Sequence, residues 1–273
     1  MKKIKKRRMV FLILLCMAVV FTLVCHREAG AAKTSYTIYV NRKTNIVNVV
    51  NNKTKKVVRA MYCSTGIRYR TIKGTYRTKQ KLRWHALYGG VYGQYCTRIN
   101  GAYLFHSVPY FSVNSKRVET LEYNKLGRQA SKGCVRLAVV DAKWIYNNCR
   151  LGTKVVIGES KKLKNPTRGL LKISTKKKEG WDPTDPNKKN PYYPTLKLAD
   201  EHYRQMKVGS NFDPLSVITV SSPFTDRETL LEKVKITGKV NTQKTGSYKL
   251  TYSLKDPATE LKRTLKVTFK VIN

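Results

Sequence analysis

Short runs of alternating polar and apolar residues constrain the fold of this chain more than any other feature of its sequence. Three come early, at residues 36–40, 45–50 and 57–63, with a polar turn at 51–56. Alternation with a period of two, in runs rich in β-branched and aromatic residues, predicts half-buried strands joined by tight turns. The chain is therefore expected to be mostly β.

The same pattern continues to about residue 158 with one interruption. Further strands are predicted at 102–108 and 153–157. Between them, Asp141 is expected to cap a short helix through 142–146 that Gly152 closes. Residues 33–158 are thus predicted to form a β-sandwich domain with one short helix.

Composition divides the rest of the chain in two. Residues 159–195 are rich in lysine, proline and asparagine, which favours a linker. Beyond it, strands are predicted at 217–220, 234–237, 248–254 and 265–272. This spacing, together with the Gly246-Ser247-Tyr248 strand, resembles the immunoglobulin-like modules of bacterial surface proteins. We expect 196–273 to fold alone, and its sequence contains no nucleophile-base pair, Gly-rich phosphate loop or metal-ligand spacing.

The first 32 residues have the layout of a secretory signal peptide. Six basic residues precede a mostly apolar run at 10–25, and Ala29-Gly30-Ala31 provides small residues at the spacing of a cleavage site. An uncleaved anchor is the alternative, but the run is shorter than the ~20 residues of a membrane-spanning helix. Acylation of Cys25 is disfavoured because no small residue precedes it. The mature protein is expected to be secreted and associated with the cell wall.

A net charge of +39 implies an anionic partner. Nucleic acid, anionic lipid and anionic wall polymers all fit that charge. The leader favours the wall polymers, excludes nucleic acid on grounds of compartment, and implies only transient membrane contact.

Four cysteines remain beyond the leader, namely Cys63, Cys96, Cys134 and Cys149. So few in a chain of this length do not form a dense disulfide framework. A Cys63–Cys96 disulfide is left open, Cys149 on the helix is expected to be buried, and at least one thiol is available for chemistry.

One pair of residues has the types needed for nucleophilic catalysis. Cys134 follows a glycine in a loop, and His106 ends a predicted strand 28 positions earlier. A cysteine attacks a carbonyl as thiolate, and a neighbouring imidazole can take its proton. Gly133 permits a tight turn there, and the N–H groups of 133–134 can donate to an oxyanion. From spacing alone, the alternative is that both side chains are buried core residues.

The residues around this pair resemble the L,D-transpeptidase (YkuD) family. The resemblance rests on His106 to Tyr110 and on Ser131-Lys132-Gly133-Cys134-Val135-Arg136, and it extends over about 35–158. Two departures stand out: Lys132 occupies the place of a second histidine, and 24 residues separate His106 from Ser131, more than is usual.

The resemblance implies a role for each motif residue. Cys134 would be the nucleophile, His106 its base, and the Ser107 carbonyl the group that orients the base. Ser131 and Lys132 would contact substrate, and Lys132 would either favour the thiolate or be simply solvated. Arg136 would hold a substrate carboxylate through its fork or form a structural ion pair.

The implied activity is acyl transfer on peptidoglycan stem peptides through a cysteine thioester, with release of D-alanine and without a metal or other cofactor. An L,D-carboxypeptidase and a non-catalytic wall-binding protein with a decayed domain are the alternatives. A wall hydrolase of the NlpC/P60 type is disfavoured because its cysteine precedes its histidine, and a sortase because its Thr-Leu-x-Thr-Cys motif is missing from this sequence.

Overall fold

The structure is a computed structural model that describes residues 34–273. The predicted leader lies outside the described residues. Ser35–Asn273 form one compact unit. In this part of the chain no helix combines the length and apolarity needed to cross a membrane.

Ten strands occupy the chain up to residue 158. They are β1 (Tyr36–Asn41), β2 (Ile46–Asn51), β3 (Val57–Ser64), β4 (Gly74–Arg77), β5 (Gln80–Leu87), β6 (Val91–Asn100), β7 (Tyr103–Ser107), β8 (Val118–Glu119), β9 (Val135–Leu137) and β10 (Lys154–Gly158). The strands predicted in this half of the chain are confirmed to within one residue at each end.

Nine of these strands form one sheet in the order β4-β10-β1-β2-β3-β9-β7-β6-β5. Its two halves enclose a single core, since Ile38 and Val47 of β1 and β2 belong to the same buried cluster as Phe105 and Val135 of β7 and β9. The predicted β-sandwich is therefore confirmed. Short elements outside the sheet are helix α1 (Thr120–Tyr123) and a 3-10 turn at Ile67–Tyr69.

Helix α2 (Val139–Asn148) is capped by a distant segment. The sequence predicted Asp141 as its cap, but the cap position is Ala138, whose side chain cannot accept a hydrogen bond. The N–H of Val139 donates instead to Asp182 Oδ2 at 2.8 Å, and that of Val140 to Thr184 Oγ1 at 3.0 Å. The helix thus begins where residues 43 and 44 positions away accept from its first N–H groups.

The segment at 159–195 lies along the nine-stranded sheet and its neighbouring elements. Strand β11 (Glu179–Gly180) pairs with β8. Ile173 is buried and exchanges two hydrogen bonds with the side chain of Asn124. Asp185 Oδ2 accepts from Gln94 Nε2 of β6 at 2.9 Å. A composition typical of linkers therefore includes several residues that pack against the sheet.

The C-terminal strands are β12 (Thr195–Leu198), β13 (Gln205–Lys207), β14 (Ile218–Ser221), β15 (Val234–Thr237), β16 (Gly246–Lys255) and β17 (Lys262–Ile272), with helix α3 (Arg227–Glu232) and a 3-10 turn at Glu201–Arg204. They form a two-stranded sheet, β12-β14, and a four-stranded sheet, β13-β17-β16-β15, around a second core. The predicted small β-sandwich is confirmed, and its last two strands are longer than expected.

Buried ion pairs join the N-terminal sandwich, at residues 36–158, to the C-terminal sandwich. Arg59 of β3 donates to Asp141 at 3.1 Å and to Glu260 at 2.9 Å, and Arg168 pairs with both carboxylates. Burial alone would raise the pKa of Glu260, but Arg59 and Lys255 lower it to about 2. Asp141, the expected helix cap, thus belongs to the contact between the two sandwiches.

Candidate active site

Parallel pairing of β7 with β9 brings the two motif segments together. His106 lies opposite Arg136 in the register, and Cys134 immediately precedes β9. Because alternate residues of a strand share a face, Cys134, His106 and Arg136 project to the same side of the sheet. All three line one cleft of about 530 Å³. The cysteine and the histidine of the predicted pair therefore line the same cleft, where Cys134 Sγ donates to the Ala102 carbonyl at 3.5 Å.

The imidazole of His106 is held in one orientation. Its Nδ1 lies 2.5 Å from the Ser107 carbonyl oxygen, and the ring is 2% exposed. Since a carbonyl only accepts, Nδ1 carries the proton and Nε2 keeps its lone pair. A Cβ on Gly93 would lie 3.0 Å from Nδ1, so glycine there leaves the ring its space.

Ser107 contributes its carbonyl to the site, as expected, and its hydroxyl to the sheet. The hydroxyl accepts from the Gln94 N–H at 2.8 Å and donates to the Val108 carbonyl at 2.9 Å. On the other side, the Val108 N–H donates to the Leu137 carbonyl of β9 at 3.0 Å, so the peptide group that orients His106 is fixed from both neighbouring strands.

A closed set of hydrogen bonds shapes the loop before Cys134. The Ser131 hydroxyl accepts from the Gly133 N–H at 3.0 Å and donates to the Cys134 carbonyl at 2.6 Å, while the Gly133 carbonyl accepts from Thr71 Oγ1 at 2.7 Å. Gly133 has φ +148, and a Cβ there would be 2.9 Å from the Tyr103 ring. Ser131 thus shapes the loop, and the Gly133 N–H is already engaged rather than free for an oxyanion.

The charges of the resting pair are set by burial. Burial raises the pKa of Cys134, against the opposing effects of the Leu104 N–H and Arg136. Burial and then the Arg136 charge lower the pKa of His106 to about 3. The sequence pointed to a thiolate with imidazolium, whereas these directions favour a thiol with a neutral imidazole.

The two cations of the motif have different surroundings. Arg136 pairs with Glu122 of α1, and its side chain is mostly buried in the floor of the cleft. The ion-pair alternative for Arg136 thus has a partner. Lys132 is exposed at the rim of the same cleft.

The other three described cysteines are free and fully buried. The Cys63–Cys96 disulfide left open by the sequence is therefore not formed. Burial raises the pKa of Cys96 and of Cys149 to about 12, and that of Cys63 further. Among the four, Cys134 is the one that a substrate can reach.

Two family models match this chain. Residues 35–157 match the model described as L,D-transpeptidase catalytic domain, YkuD, and residues 196–267 match that of the bacterial surface protein Ig-like domain. The first part is a YkuD domain. The second is an immunoglobulin-like module, so the resemblances seen in the sequence are confirmed for both parts.

This chain spans less than two thirds of the length of each relative described next. A Bacillus subtilis (strain 168) protein named "Putative L,D-transpeptidase YciB" is 50% identical over 58 residues, which are 21% of this chain and 29% of that protein. A solved L,D-transpeptidase (Yku) from Stackebrandtia nassauensis is 20% identical, with 52% and 62% of the two chains covered and a TM-score of 0.36. A fused Zn-dependent amidase/peptidase/peptidoglycan-binding domain-containing protein from Clostridium acetobutylicum ATCC 824 is 29% identical, with 50% and 58% covered and a TM-score of 0.36.

The cleft of the YkuD domain also contains residues that the sequence did not single out. His85 and Arg98 lie on neighbouring strands, with His85 Nε2 3.5 Å from an Arg98 nitrogen, and Arg70 lines the same cleft. The charge of His85 also lowers the pKa of His106. These residues carry no motif, and only the pairing of β5 with β6 reveals their position.

Proposed function

We propose that this protein is an L,D-transpeptidase that modifies peptidoglycan stem peptides through a thioester on Cys134. The observation that carries the proposal is the shared cleft. It combines the one accessible thiol of the described chain with an imidazole whose free nitrogen is set by the Ser107 carbonyl. An oriented base beside an accessible thiol is the arrangement that nucleophilic acyl transfer requires.

In the first half-reaction the sulfur of Cys134 attacks the carbonyl carbon of the third stem residue. The thiol proton passes to Nε2 of His106, and a C–S bond forms. Of the two loop N–H groups expected to stabilise the oxyanion, that of Cys134 is the candidate, since the N–H of Gly133 donates to Ser131. The C–N bond to D-alanine then breaks, and the leaving amine takes the proton from His106.

In the second half-reaction an amine from a neighbouring stem attacks the thioester. Its proton passes to His106, the new amide forms, and the C–S bond breaks. The departing sulfur recovers the proton from His106. The thioester retains the free energy of the broken amide, which suits a compartment outside the cytoplasm. Attack by water in place of the amine would give carboxypeptidase activity.

Cations around the cleft suit a substrate with carboxylates. Arg70, Arg98, Lys132 and Arg136 all line it, and no acidic residue does. Such a cleft attracts anionic peptides and holds their carboxylates near the nucleophile. A built site of this kind also argues against a decayed, non-catalytic domain.

The test is product analysis of peptidoglycan fragments after incubation with the purified protein. A tetrapeptide donor and an acceptor stem should give a cross-linked dimer and one D-alanine, and Cys134→Ser should give neither. Cys149→Ser is the control, because that thiol is buried away from the cleft. Release of D-alanine without a dimer would identify a carboxypeptidase, and an inert wild-type protein would refute the proposal.

A further inference from the structure

The four-stranded sheet of the immunoglobulin-like module has two contrasting faces. On β16 and β17 the inward side chains, such as Leu250, Tyr252 and Phe269, are buried in the module's core. The residues between them point away from that core, and most are exposed. These outward positions of β15, β16 and β17 are called here the lysine face.

The lysine face contains no acidic residue. Its members are Lys235, Thr237, Ser247, Lys249, Thr251, Ser253, Lys255, Lys262, Thr264, Lys266, Thr268 and Lys270, and Ile272 ends the last strand. The register places lysine beside hydroxyl in most rows, as in the pairs Lys249↔Thr268 and Thr251↔Lys266. Six ammonium groups and six hydroxyls thus form one continuous surface.

Apart from the Lys255–Glu260 ion pair, the contacts within the fold do not account for this arrangement. Lys255 and Lys262 lie directly opposite each other in the register, and like charges in that relation destabilise a sheet. Lysines protect exposed sheet edges against unwanted pairing. However, five of the six lie on β16 and β17, which are the inner strands of this sheet. A ligand outside the module therefore accounts for them better than stability does.

One end of the lysine face continues into the contact with the YkuD domain. A cleft of about 750 Å³ there is lined by Arg59, Arg168, Lys233, Lys235, Lys255 and Lys262, with Glu260 as its one carboxylate. Glu260 is itself occupied by Arg59 and by Lys255, the latter at 2.9 Å. The basic surface thus extends beyond the module.

The chemistry of the lysine face suits phosphate. Lysine binds phosphate as a point charge, so neighbouring lysines can hold successive phosphates without the bidentate geometry that an arginine fork imposes. Hydroxyls between the lysines can donate to the remaining phosphate oxygens. Strands are ~4.8 Å apart and alternate residues ~6.8 Å apart, so the cations form a grid suited to a chain of regularly spaced anions.

We propose that the lysine face binds a linear phosphodiester polymer, laid across β15, β16 and β17. This proposal does not depend on the transpeptidase reaction, because the face belongs to the other domain. Binding measured on a Cys134→Ala protein separates the two, since loss of chemistry leaves the face intact.

The experiment is a calorimetric titration of the full chain carrying Cys134→Ala with poly(glycerol phosphate). It measures the binding constant at several salt concentrations. Replacing Lys249, Lys262, Lys266 and Lys270 by glutamine should weaken binding at least tenfold. If all four contact phosphates, the slope of log K against log salt should fall by about 3, at ~0.7 per contact. The matched control replaces four lysines of the YkuD domain by glutamine, and its binding should stay close to that of the parent protein. These exposed lysines are Lys53, Lys55, Lys56 and Lys116.

Three results would overturn the proposal. One is equal weakening in the control, which would mean attraction by net charge alone. Another is that poly-glutamate of the same length binds as tightly as poly(glycerol phosphate). The third is that replacing the four lysines of the lysine face leaves binding unchanged. Acetylation footprinting of the unsubstituted lysines covers the case of a misfolded variant. Bound polymer should protect the lysine face and leave Lys53 and Lys116 reactive, and the reverse pattern would refute the proposal.

Discussion

Replacing Asp182 by alanine should destabilise the protein, although this residue lies in a segment with the composition of a linker. Its carboxylate is fully buried and accepts from the Val139 N–H at 2.8 Å, the Thr184 N–H at 2.8 Å and the Thr184 hydroxyl at 2.6 Å. Alanine removes all three acceptor contacts and uncaps helix α2.

The magnitude follows from two opposing terms. A buried donor left unsatisfied costs about 1–3 kcal/mol, so three donors cost about 6 kcal/mol. Burial raises the pKa of Asp182 from 3.8 to about 6, so the ionised carboxylate itself costs about 3 kcal/mol at pH 7. The net loss is about 3 kcal/mol, which lowers the melting temperature by about 6–12 °C.

The pH dependence has a definite sign. Because the folded pKa of Asp182 lies above the unfolded one, its contribution to stability is complete below pH 3.8 and is lost as pH rises to about 6. The deficit of Asp182→Ala should therefore grow by about 1 kcal/mol when the melts are repeated at pH 5 instead of pH 7.

Thermal melts followed by circular dichroism measure both effects. Asp200→Ala is the matched control, because its carboxylate also accepts from a backbone N–H but is exposed. That change should cost less than about 1 kcal/mol. A melting temperature of Asp182→Ala within 2 °C of wild type would refute this account of the cap. A chain ending near Lys161 lacks the cap as well, so it should melt lower than one that includes Asp182.

Two further predictions concern the cleft. Gly133→Ala should slow acylation at least tenfold because its Cβ would displace the Tyr103 ring. Gly152→Ala is the control, since Gly152 is also at positive φ but has open space around it. Equal acylation rates in the two variants would contradict the loop geometry. His106→Ala should slow acylation on the order of 10²-fold. The acylation rate of His106→Ala should rise tenfold per pH unit. The acylation rate of the wild-type protein should change little from pH 5 to 8, because His106 is neutral there. If Lys132→Ala slows acylation more than His106→Ala does, that lysine is the group that activates Cys134.

Local sequence patterns predicted the strands well. Period-two alternation located β1 to β3 within one residue. It did not reveal that β2 is covered on both faces, since Ile46, Val47, Asn48 and Val49 are all buried. The pairing of His106 with Cys134 followed from residue types and the family motif, and parallel strands bring the two together.

Contacts between distant segments were beyond local patterns. Asp141 has the sequence position of a helix cap, yet it pairs with Arg59 while Asp182 provides the cap. Nothing local distinguishes these two aspartates, since the choice depends on which segment packs against α2. The charge state of His106 was missed for a similar reason, because it is set by burial and by Arg136 across the strand pair.

Mapping the acyl-enzyme tests the central claim most directly. Intact-mass spectrometry after incubation with a carbapenem should show one adduct on the wild-type protein, and peptide mapping should place it on Cys134. Cys134→Ala should show none, while Cys149→Ala should react like wild type because that thiol is buried. An adduct that persists in Cys134→Ala, or that maps to another residue, would contradict the assignment of the nucleophile.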